Sequence, residues 1–256
     1  ASFAAVLCSL SFLRVGELHR TGEASRARGG LADGFRYIWS RPDLKAIVLM
    51  LFLVGTFGLN FPIFISTMAV IAFHAGAGQY GALASIMAVG SVAGALLAAR
   101  RERPRLTLLL VGAAVFGLGC ALAAVMPNYV LFGLALIIIG MSAQTLNTSA
   151  NSLIQLSTEP AMRGRVIAIF FAVFLGGTPL GAPIVGWVAD RFGPRWALGV
   201  GAASGFAAAI VAIHYLAKYR GLRVRFEAGR PRLHFDYRDP ADSNPCGPYA
   251  AASDGV

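Results

Sequence analysis

The 256 residues are 57% hydrophobic and only 13% charged, with a mean hydropathy of +0.66. That excludes an ordinary soluble globular domain, whose apolar share stays near half or below. A net charge of +10 would point to nucleic acid in a soluble chain, but here the 22 Lys and Arg punctuate long apolar runs instead of forming a basic face.

In chain order, Ala1–Leu13 is apolar but too short for a bilayer crossing, which takes about 20 helical residues. It reads as the end of a truncated span, and a chain starting at Ala1 without a basic leader or processing site reads as a fragment. Residues 14–45 form a polar linker, within which Leu31, Phe35 and Ile38 recur at i, i+4, i+7 beside Arg36 and Arg41. This spacing predicts an amphipathic helix, either lying on a membrane surface or forming an ordinary loop helix. Six apolar runs follow within residues 46–216: roughly 46–72, 80–99, 106–126, 130–156, 166–189 and 197–216, each long enough to span. The predicted fold is therefore all-α, a polytopic six-helix membrane bundle. Residues 217–256, with Pro231, Pro240, Pro245 and Pro248, read as a disordered basic tail.

The short connections force successive spans to alternate direction, which divides the charges between two sides. One side holds only Arg191 and Arg195; the linker, Arg100, Arg101, Arg103, Arg105, Arg163, Arg165 and the tail share the other. The rich side is expected to be cytoplasmic, with the linker and tail there and the chain in the cell (inner) membrane. This asymmetry accounts for the basic balance without nucleic acid. Glycine pairs at a spacing of four, Gly90/Gly94, Gly177/Gly181 and Gly201/Gly205, predict close helix crossings.

All twelve carboxylates lie in loops or at span ends, and the four histidines do not cluster. Cys8, Cys120 and Cys246 are too far apart for a metal or redox motif. No nucleophile–base pair, metal site or cofactor site is available, so no enzyme is expected. The intramembrane chemistry is that of uncharged amides and hydroxyls. Counted at 100° per residue from Gln144, the side chains of Asn147, Thr148, Asn151 and Gln155 fall between about −60° and +40°, on one helical face. Such a stripe is either interhelical hydrogen-bonding glue or the lining of a wet cavity; five polar groups exceed what glue needs, which favours the cavity. Asn60 precedes Phe61-Pro62 in the first complete span, where Pro62 frees a backbone carbonyl and Thr67 shares the Asn60 face. Gly176, Gly177, Thr178, Pro179, Gly181 and Pro183 predict a bent fifth span.

These stretches together, NFPIF from Asn60, YGALASIMAVGSVAGALLAARR, NTSANSLIQ, MRGRV and GGTPLGAPIVGWVADRFG, resemble the C-terminal half of a major facilitator superfamily transporter, in particular the enterobactin-exporter-like efflux branch. The resemblance covers roughly residues 31–216. It implies that the six spans are helices seven to twelve, that 1–13 ends helix six, and that the partner is an N-terminal six-helix half of the same transporter. It further implies two halves rocking about a midplane site, with helices seven, ten and eleven facing the central cavity. Asn60, Thr67, Gln144, Asn147, Thr148, Asn151, Gln155 and Thr178 are then candidate cavity residues. Pro62, Gly90, Gly94, Gly177, Pro179, Gly181 and Pro183 are candidate hinge or gating positions, and Arg100, Arg101, Arg163 and Arg165 cytoplasmic loop anchors. Gly90, Gly94, Arg100 and Arg101 match a degenerate copy of the family's loop motif that lacks its acidic residue. Asp190 and Arg191 resemble the same motif on the wrong side, and read as a helix-end turn.

The expected function is proton-coupled export of a small amphiphilic compound, such as a drug or siderophore, by alternating access within the lipid bilayer. The alternative is a non-transporting membrane remnant or scaffold acting through its basic linker and tail. A pore is disfavoured because no ring of charges or filter loop is present.

Overall fold

The structure, a computed structural model, describes residues 30–100 and 106–220 together with two short strands, Arg223–Arg225 and His234–Asp236. The expectations for 1–13, for the linker before Gly30, for Arg101 and for most of the tail fall outside the described residues.

Helix α1, Leu31–Ser40, carries Asp33 in its first turn, where a carboxylate complements the positive helix end. It stops at Arg41, whose extended backbone is what a following proline requires. Pro42 then opens the first span, Pro42–Ala72, at a position where its missing N–H costs nothing. This span is not a single helix. After α2 (Pro42–Leu53) come a π-helical turn at Val54–Gly58, a break at Leu59 and Asn60, α3 (Phe61–Thr67) with Pro62 in its first turn, and a second π-helical turn at Met68–Ala72.

The second to fourth spans are unbroken: α4 (Ala77–Ala99), α5 (Leu106–Val125) and α6 (Tyr129–Ser157). Helix α6 starts where Asn128 accepts the Leu131 N–H at 3.0 Å, satisfying one of the orphan donors of a helix start. The fifth span, Arg163–Phe192, divides at Gly177 into α7 (Arg163–Gly176) and α8 (Thr178–Phe192). Pro179 at the head of α8 and Pro183 within it each withhold a backbone donor, so the expected bend has a direct cause. Gly193 ends α8 at φ 97°, a positive value that glycine adopts without strain, and Pro194 opens α9 (Pro194–Arg220), the sixth span.

All six expected spans are thus present as helices long and apolar enough to cross a membrane. The sixth helix continues past its expected end at Leu216 to Arg220, with Tyr215 and Tyr219 stacked one turn apart at 5.3 Å between ring centroids. In the stretch expected to be disordered, Arg223–Arg225 pairs antiparallel with His234–Asp236. The spans themselves are all-α.

The second span packs on the fourth, the third lies between the fourth and sixth, and the sixth also meets the first and fifth. The glycine pairs make these crossings. A methyl on Gly90 would overlap the Ile137 carbonyl, one on Gly94 the Met141 carbonyl, and one on Gly140 the Met87 carbonyl. The second and fourth spans therefore touch backbone to backbone, as expected where lipid gives apolar side chains little preference for each other. Gly205 lies against Gly117, and Gly201 under the Phe64 ring. Phe64 and Phe116 are fully buried, and Phe61 meets each of their rings edge to face at 6.3 Å.

Candidate functional site

Two features stand out from this apolar packing. The first is the crossing of the two broken spans. Where Val54–Gly58 widens into a π-turn, carbonyls slip out of the normal ladder, and in a membrane each needs a new donor. Thr178, at the start of α8, donates its hydroxyl to the Gly55 carbonyl at 3.2 Å. Asn60 donates its amide to the Thr56 carbonyl at 2.8 Å. The Thr178 hydroxyl therefore stitches the break in the fifth span to that in the first, while Asn60 satisfies a freed carbonyl within the first span itself. The glycines allow it: a methyl on Gly181 would overlap the Thr56 carbonyl, and one on Gly55 would come within 2.8 Å of the Phe174 carbonyl. Thr56 itself is buried, and its hydroxyl has no hydrogen-bond partner among the described residues. A methyl on Gly177 would run into that hydroxyl.

The second feature is the amide stripe on α6. Of the buried residues of this part of the helix, Ser142, Leu146, Ser149 and Ala150 lie on the side away from Gln144, and Ile154 lies beside the edge of the stripe marked by Asn147. Gln144, Asn147, Thr148 and Asn151 are half-buried, and Gln155 is exposed. The stripe thus points away from the core of the six-helix unit. Gln155 donates to the Asn151 amide oxygen at 2.8 Å, one turn apart along the stripe. The side chains of Gln144, Asn147 and Thr148 make no hydrogen bond to another described residue. Thr145, off the stripe, provides the helix-to-helix polar contact instead, reaching the Gly94 carbonyl at 3.4 Å. Fourth-span glue and fourth-span stripe are different residues.

The other expected site residues take varied places. Asn60 is 1% exposed and spends its amide on its own helix, while Thr67 donates to the Ile63 carbonyl at 2.7 Å. Asp190 and Arg191 are exposed in the last turn of α8, ahead of Gly193, and form the helix-end turn read from the sequence. Arg100 caps α4, and Arg163 and Arg165 lie in the first turn of α7. Sequence reasoning did not single out Thr56, although Gly-Thr-Phe-Gly just ahead of Asn60-Phe61-Pro62 is a local signal of a weakened helix. Nor did it find that Arg41 pairs with Glu159 at 2.9 Å, or that Tyr37 accepts the Glu159 backbone N–H at 3.3 Å. Among the described carboxylates, Asp33, Asp43 and Asp190 lie in terminal turns of helices and Glu159 in a loop. No group of metal-ligating side chains converges among the described residues.

Broken helices meeting in a bundle of six spans, beside a span with an outward polar stripe, define a multi-pass membrane protein of the solute-transporter type. The comparison with known families is specific. The Major Facilitator Superfamily profile matches residues 1–174 and, in a second and overlapping match, residues 48–241, and the chain belongs to that superfamily. It is accordingly a membrane transporter. No curated protein matches the chain.

Proposed function

We propose that these six spans are the C-terminal half of a proton-coupled exporter of small amphiphilic compounds, working by alternating access against an N-terminal six-helix half. The observation that carries this reading is the α6 stripe. Amides that face outward from a membrane bundle are costly against lipid and favourable against a watery cavity. Gln144, Asn147, Thr148, Asn151 and Gln155 then form one wall of the solute path. Neutral amides and hydroxyls among aliphatic side chains suit drug- or siderophore-like solutes that are polar in part. The described spans keep their carboxylates at the ends, so the proton carrier is assigned to the other half.

The stitched breaks of the first and fifth spans supply the moving part. Helices interrupted by glycine and proline bend at defined places, and paired breaks bend together. The buried Thr56 hydroxyl gains a partner in the alternate arrangement of this crossing. With linker and tail on the cytoplasmic side, the membrane is the cell (inner) membrane. The test is efflux from cells or vesicles by Asn151→Ala and Gln155→Leu variants of the full-length protein. Reduced efflux at unchanged abundance and membrane insertion is expected; wild-type efflux in both variants overturns the proposal.

A further inference from the structure

Helix α1 divides into three sectors. Gly34 and Ile38 are buried on the bundle, where a methyl on Gly34 would run into Ile169 and Arg165 of α7. Tyr37 and Arg41 extend this anchored side, both meeting Glu159 in the loop after α6. Ala32, Arg36 and Ser40 are exposed and make up a water-facing side. Between the two, Leu31, Phe35 and Trp39 follow one another at i, i+4, i+8 and are 64%, 49% and 64% exposed. Three large apolar side chains in a row, on a helix already anchored to its protein by another face, need a covering surface.

We propose that this stripe is seated in the headgroup–acyl boundary of the phospholipid bilayer, on the side that carries the basic loops. Three observations select lipid as the occupant. A single residue, Arg41, separates the end of helix α1 from Pro42, the first residue of a membrane span, so its height is fixed at the level where that span enters the bilayer. The stripe is continuous with the outer surface of that span: the Lys45 ammonium lies over the Trp39 ring, 4.6 Å from its centroid, and exposed Leu49 and Phe52 follow at helical spacing. Trp39 and Lys45 are also the residue types that settle at a membrane interface, the ring at the headgroup level and the ammonium reaching outward to phosphate. The sectors are in the order an interfacial helix requires, with bundle, lipid and water in sequence around its circumference. This inference concerns the surface of the protein and holds whichever compound is transported. Through Arg41, Tyr37 and Glu159, the seat of α1 on the membrane is linked to the connection between the fourth and fifth spans.

The experiment uses the full chain with Trp187→Phe and Trp196→Phe, two exposed positions, so that Trp39 is the only tryptophan in it. It is reconstituted in phosphatidylcholine vesicles in which part of the lipid carries bromine high in the acyl chain or near its methyl end. Trp39 is expected to lose most of its emission to the high-bromine lipid, less to the deep-bromine lipid, and little to aqueous iodide. Quenching by iodide without quenching by brominated lipid overturns the proposal, because the stripe then faces water. Quenching by neither also overturns it, because a segment of the chain or a second copy then covers the stripe. A nitroxide at Phe35→Cys, with Cys8, Cys120 and Cys246 replaced by Ala, gives a second reading. Collision with membrane-dissolved oxygen above collision with an aqueous nickel chelate is expected, and the reverse order refutes the assignment.

Discussion

The contact between Gly181 and the Thr56 carbonyl makes a quantitative prediction. In Gly181→Ala the new methyl lies 2.6 Å from the Thr56 carbonyl carbon and closer still to its oxygen. Both are backbone atoms held by the Asn60 amide, so no side chain can rotate away, and the first and fifth spans must separate by roughly 2 Å to restore ordinary contact. Overpacking of this kind costs about 1–3 kcal/mol, and a backbone obstacle places it in the upper part of that range. Gly186, with nothing within 4 Å of its methyl position, sits on the same helix as an internal control. There Gly→Ala gains up to about 1 kcal/mol of helix propensity. The two variants should therefore differ by roughly 2–4 kcal/mol, read as thermal unfolding of the detergent-solubilised protein. At about 2–4 °C per kcal/mol for a chain of this length, Gly181→Ala should melt several degrees below Gly186→Ala. Equal melting temperatures would refute the tight crossing.

Other outcomes follow from the same geometry. Thr178→Val leaves the Gly55 carbonyl without its hydroxyl donor and should destabilise by about 1 kcal/mol in the same unfolding assay, the size of an interhelical hydrogen bond in a membrane. Thr56→Val removes a buried hydroxyl that has no partner among the described residues, so it should melt at or above the wild type while transport slows; reduced melting would show that the hydroxyl is already bonded. Arg41→Ala breaks an ion pair whose side chains are 43% and 61% exposed, and should lower stability by less than about 1 kcal/mol. A larger loss on unfolding would mean that α1 holds the bundle together and does not merely rest on it.

The six spans were legible because hydropathy and span length depend on composition alone, and lipid demands that every span satisfy its own backbone. The crossings made by Gly90, Gly94, Gly177, Gly181 and Gly205 were legible for a related reason: a missing side chain is a local fact that closeness requires. The stripe on α6 followed from helical periodicity. What the sequence could not reveal was the partner of each polar group. Asn60 looked like a cavity residue because an amide in a span is conspicuous, yet whether it meets water or the Thr56 carbonyl depends on a π-turn that no periodicity announces. Thr56 was hidden because threonine is common in spans, and its importance comes from a helix more than a hundred residues away in sequence. The pairing of Arg41 with Glu159 is equally nonlocal. Leu31, Phe35 and Ile38 read as one apolar face, and tertiary packing divided that face, taking Ile38 into the bundle and leaving Leu31 and Phe35 outside.

Whether the α6 stripe lines a wet path is tested directly by cysteine accessibility. Single cysteines at Asn147, Thr148 and Asn151, in a cysteine-free background of the full-length transporter, should react in intact membranes with a small hydrophilic maleimide, because the reaction needs a hydrated thiolate. A cysteine at Ile138, exposed on the same helix but among apolar neighbours, should stay unmodified. Equal and negligible labelling at Asn147, Thr148, Asn151 and Ile138 would place the stripe against lipid or dry protein, and would contradict the account.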